Sequence, residues 1–93
     1  MPPFKKVSMS TDEAETLGIR GLTFLGADPQ RLSRFLALTG TEPGALRTLA
    51  SNPTFLSAVI EYFLGDESLL LVAAADLSVA PEAFAPAHEI LTK

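Results

Sequence analysis

The chain has 93 residues, a formal net charge of −4, 47% apolar residues, 19% charged residues and no cysteine. That length holds one domain, residues 1–93, and the apolar share is too high for a disordered chain. Without cysteine, a disulfide scaffold and a cysteine zinc site are both excluded, so packing alone has to hold the core.

The N-terminus, Met1-Pro2-Pro3-Phe4-Lys5-Lys6-Val7, has basic residues but no apolar run after them, which is not a secretory pattern. Residues 1–9 read as a flexible tail. The most apolar region, Phe55 to Ala80, is interrupted by Glu61, Asp66, Glu67 and Asp76. A spanning helix needs roughly 20 apolar residues with few charges. These features point to a cytoplasmic protein with no membrane segment. No stretch alternates over strand length, and Gly and Pro fall at intervals that suit short helices. The expected fold is all-α, a compact orthogonal bundle of five to six short helices.

The first helix starts at Ser10. Ser10 and Glu13 form a capping box, and Asp12, Glu13 and Glu15 sit where the helix dipole favours acid. Ala14, Leu17, Gly18, Gly21, Phe24 and Leu25 share one face, while Ile19 lies off it. Two glycines on a buried face cost about 1 kcal/mol each against alanine, which suggests that another helix passes close by. Gly26 reads as the residue just past the helix end.

Asp28-Pro29 opens a second helix with Leu32, Phe35, Leu36 and Thr39 as its buried stripe, and Gly40 stops it. A short third helix around Glu42-Pro43 carries Leu46, Leu49 and Ala50. Asn52-Pro53 repeats the cap-plus-proline device and opens a fourth, with Leu56, Val59, Ile60 and Phe63 inward, Phe55 and Tyr62 flanking, and Gly65 at its end. The likeness of residues 28–36 to residues 52–60 is that of two short helices sharing a cap, since two copies are too few for a solenoid.

Asp66 caps a fifth helix from Glu67 to about Ala75. Leu69 to Ala75 leave it almost no polar face, so it is expected at the centre of the bundle, buried on all sides. Leu77-Ser78-Val79-Ala80 reads as a connector. Pro81 starts the last helix, with Phe84, Ala87, Ile90 and Leu91 inward, and Pro86 predicts a kink or break inside it.

The runs Ala14-Glu15-Thr16-Leu17, Phe24-Leu25-Gly26-Ala27-Asp28-Pro29 and Arg34-Phe35-Leu36-Ala37-Leu38-Thr39-Gly40, followed by Pro43-Gly44-Ala45-Leu46-Arg47, Phe55-Leu56-Ser57-Ala58-Val59 and Asp66-Glu67-Ser68-Leu69-Leu70, carry a resemblance. From about Ser10 to Leu91 the chain resembles a group of small bacterial proteins catalogued as domain of unknown function three-five-seven-two. The resemblance implies a compact all-helical domain in bacteria and brings no catalytic residues with it. Pro86 departs from the pattern, where an ordinary helix former is expected.

Chemistry-bearing patterns are sparse. His88 is the single histidine, and its neighbour Glu89 is adjacent rather than one turn away. The acid pairs at Asp12/Glu13/Glu15 and Asp66/Glu67 fall at helix starts, where caps and dipoles account for them. There is no nucleophile elbow and no glycine-rich phosphate loop with lysine. No catalytic, cofactor or metal site is expected, and no enzymatic activity.

The leading expectation is a non-enzymatic interaction module that binds a protein partner or itself through an apolar patch drawn from Leu69 to Ala75, Ile19, Phe55 and Tyr62. The alternative is a weak DNA-binding or regulatory helix-turn-helix over Leu32 to Ser51, using Arg31, Arg34 and Arg47. Thr41 stands where an apolar residue is usual and Leu36 where a small one is. Residues 1–47 hold six cations against five acids, and residues 48–93 hold Lys93 against six acids. DNA binding draws most of its affinity from neutralised phosphates, and a chain at −4 is poorly equipped for that. The small basic patch could instead meet an acidic protein, including the acidic half of another copy.

Overall fold

Most of the helices start at a side chain that satisfies the free amides of a first turn. The computed structural model describes residues 9–93, and among them the chain forms six α-helices and no strand. In α1 (Thr11–Gly26), Glu13 N–H donates to Ser10 Oγ at 3.0 Å and Ser10 N–H to Glu13 Oε1 at 2.8 Å, the reciprocal box that their spacing predicts. In α2 (Pro29–Thr39), Asp28 Oδ1 accepts from Gln30 N–H at 2.9 Å; in α4 (Pro53–Leu64), Asn52 Oδ1 accepts from Thr54 N–H at 2.8 Å. The proline that follows each cap lacks an amide the helix has no use for. Asp66 caps α5 (Glu67–Leu77) through Leu69 N–H at 3.1 Å. Two 3₁₀ turns, Pro43–Ala45 and Pro81–Ala83, lead into the short α3 (Leu46–Leu49) and into α6 (Phe84–Leu91). The all-helical expectation holds.

The aromatic core is centred on α4, since every aromatic pair among the described residues includes one of its rings. This helix lies against α1 and α6, which also pack on each other, while α2 rests on α1 and α5 touches α4 and α1. The large aromatic side chains of α4 explain this place. Phe63 is fully buried, with ring centroids 6.1 Å from Phe24 and 5.7 Å from Phe84, so one residue joins α1, α4 and α6. Phe35 brings α2 in by standing edge-on to Tyr62 at 5.1 Å and to Phe55 at 6.0 Å. The α1 face is glycine where α4 comes closest. A Cβ on Gly18 would meet Leu56 Cβ at 2.9 Å, and one on Gly21 would meet Phe63 Cε2 at 2.9 Å.

At the far end of α5, Ser78 takes the left-handed conformation (φ 57°), and Val79 N–H donates back to Ala74 O at 2.9 Å. The Arg20 guanidinium donates to Leu77 O and ties this corner to α1. Between α5 and the segment Pro81–Leu91 the chain turns through 109°, and no single helix among the described residues is long and apolar enough to cross a membrane.

Several expectations are corrected. The hub is not α5. That helix buries Leu70, Ala73 and Ala74 and leaves Leu71 and Val72 about half exposed, because small alanines cannot fill the space that the phenylalanines of α4 fill. Phe55 is buried and Tyr62 half-buried in the aromatic cluster, so Phe55 offers no surface and Tyr62 only an edge. Thr39 is exposed, its hydroxyl donating to Phe35 O at 2.8 Å. Gly26 is the last residue of α1, and Ala27 closes the helix in right-handed geometry because Asp28 must follow at once as the next cap. Pro86 breaks nothing: it lies in the first turn of α6, where a backbone amide has no intrahelical partner to lose. The tail expectation falls on residues 1–8, outside the described residues; Met9, expected to belong to it, is half-buried against the core.

Candidate functional site

Arg31 and Arg34, one turn apart on α2, reach the same groove. It lies between α2 and the α4–α5 corner, has a volume of about 250 Å³, and is walled by Asp28, Gln30, Arg31 and Arg34 on one side and Tyr62, Asp66 and Leu69 on the other. The Arg31 guanidinium sits 4.8 Å from the centre of the Phe24 ring and 3.9 Å from Asp28 Oδ2. Both acids of the groove are already engaged. Asp28 caps α2 and Asp66 caps α5, so each carboxylate lies at the positive end of a helix dipole. Arg34 is exposed and has no ion-pair partner among the described residues.

Past Arg34 and Tyr62 the groove continues to Leu38, Glu61 and Gly65. Leu38 is 71% exposed, the most exposed large apolar side chain among the described residues. Arg34 and Leu38 are four residues apart and therefore neighbours on the outer face of α2. On α5, Leu69, Val72 and Asp76 follow one another at spacings of three and four, so they lie along one edge. Leu69 lines the groove and Val72 is 49% exposed. The edge of α5 thus continues the groove outward as an apolar step ending in an exposed acid.

Arg47 does not join Arg31 and Arg34. It is exposed on α3 and lines neither part of the groove. The second helix of the helix-turn-helix outline is a 3₁₀ turn followed by the four residues Leu46–Leu49. A recognition helix presents several side chains along a major groove, and one turn is short for that.

A second cleft of about 310 Å³ opens between α1 and the Pro81–Ala83 turn, where Met9, Leu17, Val79 and Ala83 form an apolar floor and Arg20 stands at the rim. Sequence reasoning missed it because its walls come from the two ends of the chain. It also missed the partner of His88. Nε2 of His88 lies 3.6 Å from Glu61 Oε1, linking α6 to α4 across the surface. The acids Asp12 and Glu13 stand in the first turn of α1 and Glu67 in that of α5, as the cap reading places them. Among the described residues, no three His, Asp or Glu side chains gather as a metal site would require.

Fold and surface together define a small all-helical domain whose distinctive features are grooves between helices. A family model described as a protein of unknown function, DUF3572, matches residues 11–93, and the chain belongs to that family. No curated protein and no solved structure matches it.

Proposed function

We propose that this protein is a non-enzymatic interaction module that docks a protein partner on the rim of the α2/α4–α5 groove. The observation that carries the reading is Leu38, a large apolar side chain 71% exposed beside Arg34 and Tyr62. Leucine in water gives up stabilisation that burial against a partner would supply. Arginine and tyrosine are among the side chains most enriched where binding energy concentrates, because each offers broad contact area with a polar end. The apolar contribution from α5 comes from Leu69 and Val72, which share the edge beside the groove, rather than from the whole run Leu69 to Ala75. The cytoplasm, where a chain without cysteine is at home, is the compartment that goes with this proposal.

The test is affinity co-purification from the native cell with wild type and with a Leu38→Ser/Val72→Ser variant. Both changes are at exposed sites, so the melting temperature should stay within a few degrees. A partner retained by wild type and lost by the variant supports the module. If everything retained by wild type is retained equally by the variant, the groove rim is not its docking surface.

A further inference from the structure

We infer that the partner for this rim is a second copy of the chain, with α2 of one copy lying antiparallel to α5 of the other. The inference rests on the interaction-module reading and names its occupant. It starts from two matched pairs. On α2, Arg34 precedes Leu38 by four residues, and both are exposed. On α5, Val72 precedes Asp76 by four residues, and both are exposed. One helix therefore reads cation then apolar, the other apolar then acid, with the same rise of one turn between them. Laid antiparallel, Leu38 meets Val72 and Arg34 meets Asp76. Laid parallel, each charge would face an apolar side chain.

The charges are also the ones left over. Neither Arg34 nor Asp76 has an ion-pair partner among the described residues. Asp76 stands in the last turn of α5, which has no base of its own; the Arg20 guanidinium of α1 meets that end at Leu77 O but forms no ion pair with Asp76. A guanidinium from another copy gives Asp76 the ion-pair partner it lacks within the molecule. The halves of the sequence agree: the cations concentrate in residues 1–47, and six of the eleven acids lie in residues 48–93 against Lys93 alone. Arg34 of α2 and Leu69 at the N-terminal end of α5 border one groove, so the two edges start from a shared place on each molecule. A two-fold rotation then makes the contact twice and closes the dimer.

The experiment is sedimentation equilibrium through the micromolar range at low and high salt. Wild type should form a dimer whose population rises with concentration and falls with added salt. Arg34→Glu and Asp76→Arg should each weaken it by about tenfold, since each leaves like charges facing. The double variant should restore it, because the pair is reversed rather than removed. A wild type that stays monomeric, a double variant no better than the singles, or open-ended polymers each overturn the inference. A monomer whose cellular partner is still lost on Leu38→Ser/Val72→Ser leaves the interaction module standing with a different occupant.

Discussion

The helices α4 and α5 are both dominated by apolar residues, and yet they occupy opposite positions in the molecule. In α4, Phe55, Leu56, Val59, Ile60 and Phe63 are buried, and so is Ser57, whose hydroxyl donates to Thr54 O at 2.7 Å. In α5 only Leu70, Ala73 and Ala74 are buried. What separates them is side-chain size. Phenylalanine reaches across to three neighbouring helices, whereas alanine lets a helix come close along one line and offers nothing to helices further round. An apolar helix thus becomes a hub when its side chains are long enough to touch several partners, and otherwise remains a wall with one wet side.

The sharpest way to break this comparison is at Phe63. Phe63→Ala removes the ring that joins Phe24 and Phe84 and should destabilise by about 3–5 kcal/mol, a large part of what a domain of this size has. If that variant does not fold, Phe63→Leu, which keeps apolar volume but loses the ring contacts, should still lower the urea midpoint measurably. A Phe63→Ala loss no greater than that of an α5 surface change would mean that α4 is not the hub.

How far the order of the chain was legible follows from the same contrast. Caps are local, so Ser10/Glu13, Asp28, Asn52 and Asp66 could be read from spacing, and each caps the helix it was assigned to. The inward face of α1 was legible too, because periodicity alone specifies it. Which helix lies in the middle was not, since that depends on contacts between distant residues, and the apolar run of α5 imitates a centre. The groove was half legible. Arg31 and Arg34 were visible as i,i+3 neighbours, but Tyr62 and Asp66 on its far wall belong to a different part of the chain. The same distance in sequence hid the Glu61–His88 contact.

Gly18→Ala tests the approach of α1 to the hub. Alanine favours the helix by about 1 kcal/mol, which acts in the opposite direction to the clash. The added Cβ would stand 2.9 Å from Leu56 Cβ and 3.3 Å from Leu56 O, both close to the α4 backbone, so relief requires the helices to part. Overpacking of that kind costs about 1–3 kcal/mol, and the net change should be a loss of about 1 kcal/mol in denaturant unfolding. A stabilised Gly18→Ala variant would show that α1 and α4 have slack between them.

The smallest effect belongs to α5. Val72 is 49% exposed, so truncation to alanine forfeits only part of the value of a buried valine, about 0.5–1 kcal/mol. Against this, valine is stiff at χ1 in a helix, and alanine gains about 0.5 kcal/mol in propensity. The two terms nearly cancel, and Val72→Ala should leave the unfolding midpoint of dilute protein within about 0.5 kcal/mol of wild type. Dilution matters, because at concentrations where copies associate the same substitution removes the apolar half of the α2–α5 contact. A variant neutral when dilute and weaker in sedimentation at high concentration therefore assigns Val72 to the surface between molecules. A loss of several kcal/mol in the monomer would instead place α5 inside the core and reverse the roles of the two helices.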